Sequence, residues 1–287
     1  MSPTRAGLMF FSGIADEAGS DIGTQVGAHR ELGWKHIELR NVGGIGVADL
    51  CDEAFERALE RVTDAGMAVS CFASQICNWS RSIDKHPDID QQELRRAVPR
   101  MQRVGCPYIR VMSHPNAGWP EDGWRDEVVA RLRVLAGMAE DAGVVLVHEN
   151  CDGWGGQGPE QSLELLERVD SPALKLLWDT GNPVAHGQEP WGYYDAVKDD
   201  VVYVHVKDGI AESGRMRYTY PGEGAGRVAD VLRDLVSRGY KGAVSIEPHL
   251  AAVVHEGKEA SEAESAYERY VEYGRRLVAL VESVRDQ

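Results

Sequence analysis

Short apolar runs that turn abruptly polar recur along this chain, and stretches with helical spacing separate them. Val201–Asp208 is the plainest case, reading V-V-Y-V-H-V-K-D. A continuous apolar run has the signature of a parallel strand covered on both faces. Side chains two apart share a face of a strand, so His205 faces with Tyr203 and Lys207. In order, the pattern predicts a strand at Gly7–Gly13, a helix at Asp21–Leu32, a strand at Lys35–Leu39 and a helix at Val47–Ala65. Strand Met67–Phe72, helix Asp90–Val104, strand Tyr108–Met112 and helix Trp124–Ala142 follow. Then come strand Val144–Val147, helix Pro159–Val169, strand Leu174–Trp178 and helix Pro190–Lys198. After the strand that begins at Val201, a long loop carries Pro221-Gly222-Glu223-Gly224. Helix Arg227–Arg238, strand Ala243–Ile246 and a last helix at Ser261–Arg285 complete the chain. Glycines 33, 66, 105, 143 and 239 stand where a helix gives way to its next strand, as left-handed helix ends favour.

Eight strand–helix units in strict alternation predict a (β/α)8 TIM barrel, one domain over residues 1–287. No G-x-G-x-x-G opens a helix after the first strand, which argues against a dinucleotide fold. In a barrel the active site is built where strands end. Here four successive strand ends carry Glu149, Asp179, His205 and Glu247, spaced 30, 26 and 42 residues apart. A barrel unit averages about 31 residues, so these side chains are predicted to reach one rim. Each alone has an ordinary structural reading as a cap, a surface charge or a core histidine. Three carboxylates on one rim repel one another, and a cation accounts for their clustering. The donor set is hard and mostly oxygen, suiting one divalent ion: Mn2+ first, with Mg2+, Co2+ or Zn2+ open. Such an ion polarises a carbonyl and stabilises the enediolate formed when a neighbouring C–H proton leaves.

Composition narrows the setting. The 287 residues carry a formal charge of −15, which opposes non-specific binding to nucleic acid or acidic membranes. No apolar run approaches the ~20 residues of a membrane span, and Gly7–Phe11 is too brief for a secretory core. Five cysteines without a C-x-x-C pair fit a reducing compartment, so a cytoplasmic location is expected.

Several segments together resemble one family: Phe11–Glu17, Ile37–Arg40, His148-Glu149-Asn150, Trp178–Asn182, His205-Val206-Lys207-Asp208, Pro221–Gly224 and Ser245–His249. They are similar to the xylose-isomerase-like TIM-barrel superfamily, in its sugar phosphate isomerase/epimerase branch. That branch includes ketose 3-epimerases, inosose dehydratases, keto-glycoside lyases such as C-glycoside deglycosidases, and endonuclease IV relatives. The resemblance implies that Glu149, Asp179, His205 and Glu247 are the metal ligands and that Glu149 and Glu247 form an acid/base pair. It implies a small-molecule carbohydrate substrate and a homo-oligomer, dimer or tetramer, with a hetero-subunit in the C-glycoside deglycosidase case.

The chain departs from the 3-epimerase pattern at two places. Asn182 stands where those enzymes carry a histidine, and Lys207 and Asp208 stand in the neighbourhood of a substrate-binding arginine. Endonuclease IV needs further metal-binding histidines; the rim candidates here are His114, His186 and His249, on an acidic chain, which sets DNA repair aside. The leading expectation is therefore a metal-dependent isomerase or epimerase of a sugar or keto-sugar. The alternative is a lyase of the keto-glycoside or inosose dehydratase type, and the remaining one a non-catalytic sugar-binding barrel. His114 and His249 are further catalytic candidates. Glu38, Lys207, Asn182 and Trp119 are candidate substrate contacts, with Trp154 and Trp191 as other rim aromatics and Glu223 as a supporting group. Beyond Gly222–Gly226, no glycine-rich phosphate loop follows strands seven and eight.

Overall fold

The computed structural model describes residues 9–212, 214–250 and 263–285. Eight parallel strands form one sheet: β1 Phe10–Gly13, β2 His36–Leu39, β3 Ala68–Phe72, β4 Tyr108–Ser113, β5 Val145–Gly153, β6 Leu174–Asp179, β7 Val201–Val206 and β8 Ala243–Ile246. Their order in the sheet is β1-β8-β7-β6-β5-β4-β3-β2. The ring closes between β1 and β2 through the single parallel bridge Ile14–Glu38, so this is a TIM barrel with one weakly paired seam. The helices that follow the strands are α1 Ile22–Glu31, α2 Asp52–Asp64, α3 Asp88–Val104, α4 Glu121–Ala142, α5 Pro159–Val169, α6 Pro190–Val197, α7 Val228–Ser237 and α8 Ala263–Arg285. Among the described residues no helix is long and apolar enough to cross a membrane.

Strand alternation decides what enters the barrel. Cys71, Val147, Leu177, Tyr203 and Ala243 pack together as an interior layer. Their outward neighbours, such as Leu146, Trp178 and Val204, pack against the helices. Two positions beyond Val147, Leu177 and Tyr203, the same inward face delivers Glu149, Asp179 and His205. Side chains of a barrel stack in layers, so an apolar floor here carries a charged layer above it.

Three differences from the expected elements have local causes. Strand β5 runs on to Gly153, so His148-Glu149-Asn150 lie inside the strand and not past its end. Helix α2 starts at Asp52 rather than Val47. The preceding chain forms a small hairpin, Asn41–Val42 with Ile45–Gly46, around Gly43 and Gly44 at φ 63° and 78°. Val47, Ala48 and Leu50 are then buried as irregular chain. The long segment after β7 contains a second hairpin, Asp208–Glu212 with Arg215–Thr219. The expected helix start at Ser261, and Gly7 and Leu8 of the first strand, fall outside the described residues. All five cysteines are free.

Candidate metal centre and active site

Glu149, Asp179, His205 and Glu247 converge at the C-terminal mouth of the barrel, one ligand atom from each lying within 4.8 Å of the others. His205 Nδ1 is 3.6 Å from Glu149 Oε1 and 3.5 Å from Glu247 Oε2. All four residues are buried, at 0–3% exposure. Packing four such groups without water requires that each be held and that something answer their charge.

Each residue is held through one atom while another stays without a hydrogen bond. Glu149 Oε1 accepts from Asn182 Nδ2 at 3.1 Å, and Asp179 Oδ1 accepts from the Gly181 and Asn182 N–H groups at 2.8 and 2.7 Å. His205 Nε2 lies 3.1 Å from both oxygens of Glu38. A carboxylate only accepts, so Nε2 carries the proton and Nδ1 faces the cluster. Glu38 is fully buried and also accepts from Tyr203 Oη at 2.9 Å and Ser245 Oγ at 2.6 Å. Asn150 locks the two strand ends, accepting from Asp179 N–H at 2.6 Å and donating to the Asp179 carbonyl at 3.0 Å. Glu149 Oε2, Asp179 Oδ2, His205 Nδ1 and Glu247 Oε2 are among the buried side-chain atoms left without a hydrogen bond. One donor atom per residue free of hydrogen bonds, facing a common point, is what a cation site requires, and this set can bind a divalent metal.

Three side-chain cations brace the cluster. Lys207 Nζ lies 2.8 Å from Glu247 Oε2 and 3.2 Å from Asp179 Oδ2. Arg110, from inside β4, lies 3.3 Å from Glu149 Oε2 and 3.9 Å from Glu247 Oε1. Arg40 pairs with Asp16 at 3.0 Å and reaches Glu17 and Glu247 at 3.5 Å. Burial raises the Glu149 carboxyl, but Arg110 and His205 outweigh it and hold it at about 2. Burial pushes Asp179 up to about 6, with Glu247 and Glu149 adding to it against the pull of Lys207. Glu247 stays well below the usual carboxylate range despite burial, because Lys207, His249 and His205 surround it. Lys207 thus serves its nearer partner best. Burial opposes charge on His205, yet Glu38, Glu149 and Glu247 lift it well above the ordinary histidine value.

The family described as xylose isomerase-like TIM barrel matches residues 26–276. The chain belongs to this family. Among curated relatives it is 29% identical to 2-epi-5-epi-valiolone 7-phosphate 2-epimerase of Actinoplanes sp., over 68% of this chain and 71% of that protein. It is 25% identical to inosose dehydratase of Clostridium beijerinckii, where the match covers 40% of this chain and less than half, 44%, of that protein. Among solved structures, a xylose isomerase-like TIM barrel protein from Mycobacterium smegmatis in complex with magnesium superposes with a TM-score of 0.69. It is 18% identical, covering 99% of both chains, and so shows the shared fold.

Within this xylose isomerase-like barrel the other candidates divide. Lys207 touches Asp179 and Glu247 directly, and Asn182 touches Glu149 and Asp179. His249, at φ 51°, is oriented by Glu17, which accepts from its backbone N–H and pairs with Nδ1, both at 2.8 Å. Its Nε2 then faces Glu247 Oε1 at 3.8 Å. Glu38 sits beneath His205 with both oxygens occupied, where it supports the imidazole from below. His114 turns elsewhere: its Nδ1 lies 2.8 Å from the Arg81 carbonyl and its Nε2 3.7 Å from Asp90. With Cys77 and Asp90 it makes a second ligand-like trio, but Arg81, 2.7 Å from Asp90, already supplies a cation there. Trp119 is exposed on the loop after β4, its backbone N–H and carbonyl both bonded to Asn116. Trp154 donates to Glu121, Trp191 packs on Tyr194, and Glu223 pairs with Arg276.

Sequence reasoning missed Arg110, Glu17, Arg40 and Asn150. Arg110 had a readable signal. It interrupts an apolar strand, Y-I-R-V-M, and a charge buried in a strand must meet an opposite charge.

Proposed function

We propose that this chain is a divalent-metal-dependent isomerase or epimerase of a sugar or keto-sugar, with Glu149, Asp179, His205 and Glu247 as the metal ligands. The observation that carries this reading is the convergence of four buried atoms, one per residue, that make no hydrogen bond, three of them held only by ion pairs to Lys207 or Arg110, while every residue's other atom is fastened. A bound divalent ion supplies a Lewis acid that polarises the substrate carbonyl and stabilises the developing oxyanion. Mn2+ is the first expectation, and the magnesium complex of the Mycobacterium smegmatis barrel supports the same class of ion.

The chain's own residues supply the proton chemistry. Glu149 and Glu247 come from β5 and from the end of β8, with Arg110 reaching toward both. Both carboxylates are held ionised, the state a base needs. Glu149 removes the proton beside the carbonyl and the C–H electron pair moves to form the enediolate. Glu247 takes up a proton from His249, whose Nε2 lies 3.8 Å from its Oε1, and returns it to the opposite face. Lys207 neutralises the carboxylates around the oxyanion, and burial keeps water from competing.

A dehydratase is the second reading, favoured by one contact. His249, oriented by Glu17, points Nε2 at Glu247, where it can hand a proton to a departing hydroxyl. The inosose dehydratase relative supports it. Turnover of ketoses and inososes in deuterated water with Mn2+ separates the two. Deuterium in a rearranged sugar, lost in Glu247→Gln, supports the epimerase. Loss of water without rearrangement supports the dehydratase, and neither exchange nor water loss on any substrate contradicts both.

A further inference from the structure

Asp208 follows Lys207 directly and is fully buried. Its Oδ1 accepts from the N–H groups of Gly209 and Gly226, both at 2.9 Å, and its Oδ2 from those of Gly222 and Gly224 at 2.8 and 3.0 Å. Three backbone N–H groups of a glycine-rich loop, with that of Gly209, aimed at one anion after strand seven of a barrel, form the kind of nest that binds phosphate. Here the anion is the chain's own carboxylate. A Cβ at Gly224 would collide with Asp208 Oδ1, and one at Gly226 would stand 2.7 Å from the Thr180 carbonyl oxygen. The glycines therefore let the loop close on Asp208 and on the segment beside Asp179. Thr180 Oγ1 ties that segment to the Lys207 carbonyl at 2.6 Å.

Among the described residues, other anion-binding donors around the mouth are occupied in the same way. The Gly181 and Asn182 N–H groups go to Asp179, and the His249 N–H goes to Glu17. The guanidinium and ammonium groups of Arg40, Arg110 and Lys207 all lie against carboxylates. With His205 counted neutral, as a metal ligand is, Asp16, Glu17, Glu38, Glu149, Asp179 and Glu247 are six acids against these three cations, an excess of three negative charges. A divalent ion reduces the excess to one. A phosphate monoester adds about two negative charges at neutral pH, and in these sets it meets one donor without a hydrogen bond, the buried Arg110 Nε.

We propose that the site takes an uncharged carbonyl sugar or polyol and rejects phosphate esters, because Asp208 fills the glycine-rich loop in which a phosphate would be held. The proposal rests on the reading of the four-residue cluster as the reaction centre, and its test keeps the two apart. Calorimetric titration of the full chain in Mg2+ with inorganic phosphate, and with fructose 6-phosphate, is expected to give no saturable binding up to about 10 mM, weaker than a −3 kcal/mol interaction. Saturable binding of either below about 1 mM overturns it. Solvent-deuterium exchange on each ketose and its phosphate ester is expected to favour the free sugar by at least ~100-fold in kcat/KM. Equal or faster exchange on the ester overturns it as well. Absence of exchange on every sugar strikes the enediolate reading alone, and the phosphate titration still decides this one.

Discussion

Replacing Glu38 by Gln should weaken divalent-metal binding although Glu38 is not among the four central residues. Its carboxylate accepts from His205 Nε2 on both oxygens at 3.1 Å, from Tyr203 Oη at 2.9 Å and from Ser245 Oγ at 2.6 Å. An amide keeps one accepting oxygen and turns an NH2 toward donors. Placing that oxygen at the Oε2 position preserves the bonds to Tyr203 and Ser245. The NH2 then faces the His205 N–H, and the bond that remains to the imidazole is no longer charge-assisted. Hydrogen bonds to a charged partner are worth ~1.5–3 kcal/mol against ~0.5–1.5 for neutral ones. The imidazole thus loses about 1–2 kcal/mol of support, or roughly 5–30-fold in affinity, overlapping the roughly 10–100-fold loss found when such outer partners of metal histidines are changed. Calorimetric titration with Mn2+, with circular dichroism to check the fold, measures this. An affinity within about 2-fold of wild type would refute the argument that Glu38 fixes His205 for a cation.

Two further outcomes concern stability. His29 is fully buried, with Nδ1 donating to the Gln25 carbonyl at 2.9 Å and Nε2 facing Tyr270 Oη at 3.3 Å. Burial lowers its pKa from 6.5 to about 4. The unfolded chain therefore binds this proton first as pH falls, so the stabilisation is complete above pH 6.5 and is lost toward pH 4. About 2 kcal/mol should go between pH 7 and 5. Urea unfolding of His29→Gln should show that much less loss over the same interval, and an identical slope would contradict it. Gly226→Ala places a methyl 2.7 Å from the Thr180 carbonyl oxygen and 3.0 Å from Asp208 Oδ1. It should cost ~1–3 kcal/mol, and an unchanged urea midpoint would show that the loop does not close as described.

The barrel and its four central residues were legible because strand periodicity is local. Apolar runs mark the strands, and a polar residue two positions beyond an inward apolar one must share its face, as Tyr203 and His205 do. Contacts made across the barrel were not legible. Glu38 was expected at the substrate because strand position cannot reveal that Tyr203, His205 and Ser245, on β7 and β8, all donate to it. His114 stands at a strand end like Asp179, but its positive φ turns the ring onto Arg81 and Asp90. The Pro-Gly-Glu-Gly stretch read as a turn, since nothing adjacent in sequence announces that Asp208, 14 residues before Gly222, would fill it. In each case the deciding partner lies on another strand or loop, at a separation no periodic pattern encodes.

The central claim is that the four buried side chains form one divalent-metal site. Elemental analysis of the purified chain, dialysed after incubation with Mn2+ or Mg2+, tests it most directly, with Asp179→Asn treated in parallel. Asp179 is the apt position because Oδ1 is fastened to backbone N–H groups while Oδ2 makes no hydrogen bond and is held only by its ion pair with Lys207. The account predicts one divalent ion per chain in the wild type and a small fraction of that in the variant. A wild-type protein that retains no divalent ion, or a variant that retains as much as wild type, would contradict it.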